Sequence, residues 1–190
     1  MRAFIAIELP SKIKAYLNNI QDKLKVSGAD VRWVNPQNIH LTLKFLGEIE
    51  DKLEPQISRI LEDVSLNKYS FTVRLDSLGA FPKINSPRII WTGIKPENQV
   101  IYQIVEELEN RMSVFGIPKE DKPFFAHLTI GRTRSGLNRD ELINAMNVLS
   151  SEISQGKVEC SVTKLTLFKS TLTPQGPIYT TLKEVNLKIS

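Results

Sequence analysis

Trp33-Val-Asn-Pro-Gln-Asn-Ile-His-Leu-Thr-Leu-Lys-Phe-Leu-Gly-Glu48 holds one of only two histidines in a chain of 190 residues, and its centre returns in the second half as Phe124-Phe-Ala-His-Leu-Thr-Ile-Gly-Arg132. Both histidines open the same frame, His-Leu-Thr followed by an aliphatic residue: His40 to Leu43 and His127 to Ile130. Apolar and polar residues alternate from Ile39 to Phe45, the period of a half-buried strand. Successive strand side chains leave opposite faces, so Leu41 and Leu43 are expected to enter a core while His40 and Thr42 share the other face. The second copy predicts Leu128 and Ile130 inward, with His127 and Thr129 together.

A strand histidine taken alone is more often a packed structural residue than a catalyst. The pair changes this. With 11 threonines in the chain, independent placement would put threonine two positions after both histidines on the order of a few times in a thousand. Two imidazole and hydroxyl pairs on separate strands are therefore read as chemistry.

Working outward, Arg2 to Leu9 reads as a first strand. A helix follows with Ile13, Leu17, Ile20 and Leu24 at helical spacing, Ser11 placed to cap it and Gly28 to end it. After Gly47, Asp51 and Glu54 resemble a capping box opening a second helix with Leu53, Ile57, Ile60, Leu61 and Val64 on one face, and Pro55 in its first turn. Phe71 to Leu75 and Arg88 to Ile94 read as strands flanking a long loop at Phe81 to Pro87. The second half repeats the order. Val100, Ile101, Ile104, Val105, Leu108 and Met112 form a third helix before the second histidine strand. Asn138 and Glu141 suggest a cap for a fourth helix through Leu142, Met146 and Leu149. Strands are expected at Val158 to Phe168 and Ile178 to Ile189, joined by a turn at Thr173 to Pro177. The fold class is thus α+β: two pseudo-symmetric lobes of mainly antiparallel sheet with helices outside, enclosing a central cleft, in a single bilobal domain spanning residues 1–190.

Composition is that of ordinary globular material, 41% hydrophobic and 24% charged. The net charge of +4 mildly favours an anionic partner. A lone cysteine, Cys160, permits no internal disulfide, and the opening apolar run is too short for a signal peptide or membrane span. A cytoplasmic monomer without membrane attachment is the expectation.

Histidines are also common zinc ligands. However, the chain has no His-Glu-x-x-His, no Cys-x-x-Cys and no carboxylate at a telling spacing from either histidine, so no metal and no cofactor is expected. No nucleophile-elbow frame surrounds Cys160 or the serines. In-line opening of a cyclic phosphate, by contrast, needs one group to take a proton and another to give one. Two histidines on separate strands can do this from opposite sides of phosphorus, with the threonine hydroxyls on the non-bridging oxygens. Lys44, which alternation puts on the His40 and Thr42 face, and Arg132, which reaches the His127 face only if Gly131 breaks or bulges the strand, are candidate substrate contacts. Arg2, Arg74 and Arg88 could line an RNA path, and Phe45 or Tyr179 could stack a base.

The two His-x-Thr-x frames resemble the 2H phosphoesterase superfamily. More narrowly, the chain resembles the RNA 2′,3′-cyclic phosphodiesterases once called 2′-5′ RNA ligases, through Arg2 to Pro10, Trp33 to Glu48, Pro87 to Trp91 and Leu167 to Tyr179. Ala126 stands where that family often has proline. The resemblance implies His40 as general acid and His127 as general base. With Thr42, Thr129, Arg132 and Lys44 as the substrate-binding candidates, it further implies hydrolysis of RNA 2′,3′-cyclic phosphate ends, on tRNA fragments or nucleotides, to 2′-phosphates. Ligation by the reverse reaction, or a non-catalytic RNA-binding module, are the alternatives left open.

Overall fold

The computed structural model describes residues 1–189. Its strands are β1 (Arg2–Glu8), β2 (Val31–Trp33), β3 (His40–Glu48), β4 (Phe71–Lys83), β5 (Ser86–Pro96), β6 (His127–Thr133), β7 (Glu159–Val162), β8 (Lys164–Thr173) and β9 (Gly176–Asn186). Its α-helices are α1 (Ser11–Lys25), α2 (Glu54–Ser65), α3 (Val100–Ser113) and α4 (Arg139–Gln155). The strands form two antiparallel sheets, of order β3-β1-β8-β9 and β2-β6-β5-β4-β7.

Each helix buries the face its spacing predicts, for example Ile13, Leu17, Ile20 and Leu24 of α1 and Ile101, Ile104, Val105, Leu108 and Met112 of α3. Each such side chain contributes about 1.5–3 kcal/mol on full burial. Helices α2 and α3 cover the four-stranded sheet, whereas α1 and α4 cover the five-stranded one. The two halves correspond in order: β1, α1, β3 and α2 match β5, α3, β6 and α4. In each half the first helix crosses to the opposite sheet and the second stays on its own. The histidine strands β3 and β6 come together where the sheets meet.

Several local expectations are corrected. Pro10 occupies the capping position of α1, and Ser11 is its first helical residue. Asp51 lies in a 3-10 turn that precedes α2, and Asn138 sits before α4 with φ 49° but no side-chain cap. Phe81 to Pro87 is not a loop, because β4 and β5 stay paired up to Lys83 and Ser86, leaving Ile84 and Asn85 as the turn. The stretch Val158 to Phe168 divides: β7 pairs with β4 in one sheet and β8 with β1 in the other.

Strand β1 is buried on both faces. Ala3, Ile5 and Ile7 enter the main core, while Phe4 and Ala6 join Phe168 and Tyr179 in a smaller cluster. That cluster is the floor beneath His40.

Candidate active site

Where the sheets meet lies a cleft of about 1930 Å³, lined by His40, Thr42, His127, Thr129 and Arg132 together with Phe4, Phe45, Phe81, Phe125 and Tyr179. The two histidines are held alike. His40 Nδ1 lies 2.8 Å from the Asn38 carbonyl and His127 Nδ1 lies 2.7 Å from the Phe125 carbonyl. A carbonyl oxygen can only accept, so each Nδ1 carries the hydrogen and Nε2 is left as the position that gains or loses a proton. Each ring also lies against a phenylalanine, Phe4 at 4.7 Å for His40 and Phe125 at 5.8 Å for His127, and meets an edge-on ring at 5.1 Å, Tyr179 and Phe81 respectively. Asn38 has a second role, since its side-chain amide donates to the Pro177 carbonyl at 3.0 Å and ties the β8–β9 hairpin to the entrance of β3.

Past the threonines, both strands depart from simple alternation in the same way. In the β1–β3 ladder Ala6 faces Thr42 but Ile5 faces Lys44, so Leu43 is an extra residue. In the β5–β6 ladder Trp91 faces Thr129 but Ile90 faces Gly131, so Ile130 is the extra one. An inserted residue reverses the faces beyond it. Arg132 thereby returns to the His127 and Thr129 side and lines the cleft, as does Phe45 on the His40 side.

The same reversal corrects the expectation for Lys44. Its side chain is 0% exposed, and its ammonium donates to Glu109 Oε2 at 2.8 Å and to the Pro118 carbonyl at 2.6 Å. It therefore ties β3 to α3 at the wall of the cleft. At the equivalent place Gly131 has no side chain, and a Cβ there would lie 2.8 Å from Val31 and 3.0 Å from Trp33. The carbonyl of the extra residue Ile130 accepts from buried Gln21 Nε2 at 2.8 Å and from the Val34 amide at 3.0 Å.

Of the remaining expected contacts, Arg2, Phe45 and Tyr179 line the cleft and Arg74 and Arg88 do not. Arg32, Tyr102, Lys119 and Lys122 line it without having been singled out. No sequence period marks them, because their place depends on which strands and loops meet across the cleft. Among the described residues no group of three or more His, Cys, Asp or Glu is placed to hold a metal ion, and no helix is long and apolar enough to cross a membrane.

Burial pushes the His40 pKa below the ordinary 6.5, assisted by Lys14 and opposed by the bond to the Asn38 carbonyl. Burial likewise pushes Tyr179 up, against the pull of Arg132 and Arg2, so its hydroxyl stays a donor at neutral pH. The His40 shift has a sign for stability. The unfolded chain takes up a proton near pH 6.5 that the folded chain resists until lower pH, so folding stability falls as pH drops through that window. In His40→Gln this loss disappears. The melting temperature of the variant relative to the original chain is expected to rise as pH goes from 7.5 to 5 in phosphate-free buffer; a gap independent of pH would contradict the depressed pKa.

The fold and the doubled histidine frame define a 2H phosphoesterase, a hydrolase class. The model of the LigT-like phosphoesterases matches the chain twice, over residues 7–91 and 94–179, one match to each half. The chain belongs to that family. It is similar to proteins named RNA 2′,3′-cyclic phosphodiesterase from Methanocaldococcus jannaschii, 35% identical over 97% of this chain and 99% of that one, and from Thermotoga maritima, 36% identical over 97% and 94%. Among solved structures it resembles TT0787 of Thermus thermophilus, at a TM-score of 0.81, 26% identity and coverage of 99% and 98%. It also resembles E. coli LigT complexed with 3′-AMP, at 0.76, 26% identity and coverage of 98% and 97%.

Proposed function

We propose that the cleft hydrolyses 2′,3′-cyclic phosphates at RNA 3′ ends to 2′-phosphates, with both proton transfers carried by histidines and no metal ion required. The observation that carries the reading is the repeated Nδ1-to-carbonyl bond, which presents two Nε2 atoms of one cleft for proton transfer, each with a threonine two positions on. His127, neutral, takes a proton from water as its oxygen bonds to phosphorus. The bond from phosphorus to O3′ breaks on the far side, and O3′ takes the proton of His40, whose imidazolium the bound phosphate anion stabilises against the burial that lowers its pKa in the free protein. The cycle ends with His127 protonated and His40 neutral, and exchange with solvent resets both. Thr42 and Thr129 donate to the non-bridging oxygens, and Arg132 contacts the anionic substrate. The names of the relatives and the 3′-AMP held by E. coli LigT support this substrate class. We read the two lobes, linked by helices that cross between the sheets, as one domain, and the protein as a cytoplasmic monomer.

Incubation of an RNA bearing a 2′,3′-cyclic phosphate with the protein in EDTA tests the reading. Turnover is expected to persist unchanged, and loss restored by zinc or magnesium would overturn the metal-free mechanism. Thr42→Ala and Thr129→Ala are each expected to lower kcat by roughly 10- to 1000-fold, reaching at the upper end the loss of about 100- to 1000-fold for removing one donor to developing negative charge. Full activity in both variants would reduce the threonines to strand formers.

A further inference from the structure

Arg32 and Arg132 stand directly opposite one another in the antiparallel β2–β6 pair, both exposed and both lining the cleft. Like charges at directly opposed strand positions repel and destabilise the pair. Here nothing local offsets the repulsion: among the described residues neither guanidinium has an ion pair or hydrogen bond within the protein. Arg111, on α3, shows the usual alternative, bonded to both Asp63 and Glu107. Arg2 adds a third guanidinium to the same end, since it and Arg132 both act on the Tyr179 hydroxyl. The charged lining is divided accordingly. Every carboxylate in it, Glu106, Glu109 and Glu120, lies on or just after α3, interleaved with Lys44, Lys119 and Lys122, whereas the end formed by β1, β2, β6 and the β8–β9 hairpin carries only arginines.

Arg32 also lies against the hairpin turn. Its Nη2 is 3.7 Å from where a Cβ on Gly176 would be, and Gly176 has φ 134°, a conformation that favours glycine. The Arg32 guanidinium thus lies beside the hairpin turn, at a strand position facing Arg132, an arrangement suited to an anion.

We propose that Arg32, together with Arg132, forms a second phosphate subsite that holds the phosphate on the 5′ oxygen of the terminal nucleoside while the histidines work on its 2′,3′ edge. This rests on the function proposed above for the histidine centre. Two planar guanidiniums present paired donors that match phosphate oxygens. The preferred substrate is therefore a chain end of at least two nucleotides, in which that phosphate is the linking diester, over a cyclic mononucleotide that lacks it. A free 5′-phosphate on a mononucleotide offers the same chemistry.

The test compares three substrates: adenosine 2′,3′-cyclic phosphate, its 5′-phosphorylated form, and ApA ending in a 2′,3′-cyclic phosphate. The ratio of kcat/KM for either 5′-substituted substrate over the first is expected to be roughly 10- to 100-fold, the worth of one or two charge-assisted hydrogen bonds. In Arg32→Gln it should collapse towards one, with Arg32→Lys intermediate. A preference for both shows that the subsite reads the 5′-phosphate whatever its source; a preference for the dinucleotide alone would put the gain in the second nucleoside and overturn the phosphate subsite. A binding arm separates failure of the subsite from failure of the hydrolase reading. Calorimetry with adenosine 2′,5′-bisphosphate and adenosine 2′-phosphate should show at least about tenfold tighter binding of the bisphosphate, lost in Arg32→Gln. Should no substrate be cleaved while this preference stands, the subsite survives and the hydrolase reading falls. Equal binding of the two ligands, or a preference that persists in Arg32→Gln, overturns the subsite regardless of activity. Relief of the cross-strand repulsion predicts an undiminished melting temperature for Arg32→Gln, so loss of discrimination is not loss of fold.

Discussion

His127→Ala is expected to lower kcat on RNA ending in a 2′,3′-cyclic phosphate by about 100- to 10,000-fold, the contribution of one well-placed proton-transfer group. His40→Ala should lose as much on the same substrate. The two part company when the leaving group changes. On a nitrophenyl phosphodiester the departing oxygen needs no proton, so the His40→Ala defect should shrink markedly while that of His127→Ala persists. Rescue of the His127 variant instead would reverse the roles. The original chain should show a bell-shaped pH profile whose two limbs belong to the pair, and each single variant should lose one limb.

Lys44→Met is the substitution expected to cost most in stability. The ammonium is out of solvent and holds both Glu109 and the Pro118 carbonyl, and Glu109 also accepts from the Glu120 amide at 3.2 Å. Removing one partner of such a buried pair leaves the other charge uncompensated, at about 3–5 kcal/mol. Urea denaturation should read this as a lower midpoint, and the double variant Lys44→Met, Glu109→Leu should recover most of it, because replacing a whole buried pair with apolar groups is often neutral. The segment anchored at Pro118 runs on to Phe124 and Phe125, which wall the cleft, and the Phe125 carbonyl fixes His127. A loss of activity exceeding the loss of folded protein is therefore expected in the single variant. A single variant as stable as the original would contradict the account of Lys44 as a tie between β3 and α3.

The parts of the fold written as periodicity were legible in the sequence. Four helices announced themselves by apolar spacing, and the histidine frames by alternation, because burial on one face of a helix or strand imposes those periods. What depends on pairing was not legible. Whether Lys44 or Phe45 shares a face with His40 is decided by one extra residue opposite β1, and the chain around Leu43 carries no mark of it. Arg132 differs only in that Gly131 beside it signalled a possible irregularity. The division of Val158 to Phe168 at Thr163 was hidden because β7 and β8 are both apolar enough to be strands, and only their partners place them in different sheets. Arg32 went unremarked for the same reason: its meaning comes from Arg132, which faces it across β2 and β6 and lies far from it in the chain.

The central claim is that two histidines of one cleft open a cyclic phosphate by in-line attack of water with departure of O3′. It is tested most directly by digesting an RNA with a 2′,3′-cyclic phosphate end in water enriched in oxygen-18 and reading the product by phosphorus NMR and mass spectrometry. The account predicts a single terminal 2′-phosphate carrying one heavy oxygen, formed by the original chain and absent with His40→Ala or His127→Ala. A 3′-phosphate product, or an RNA end left closed by the original chain, would contradict it.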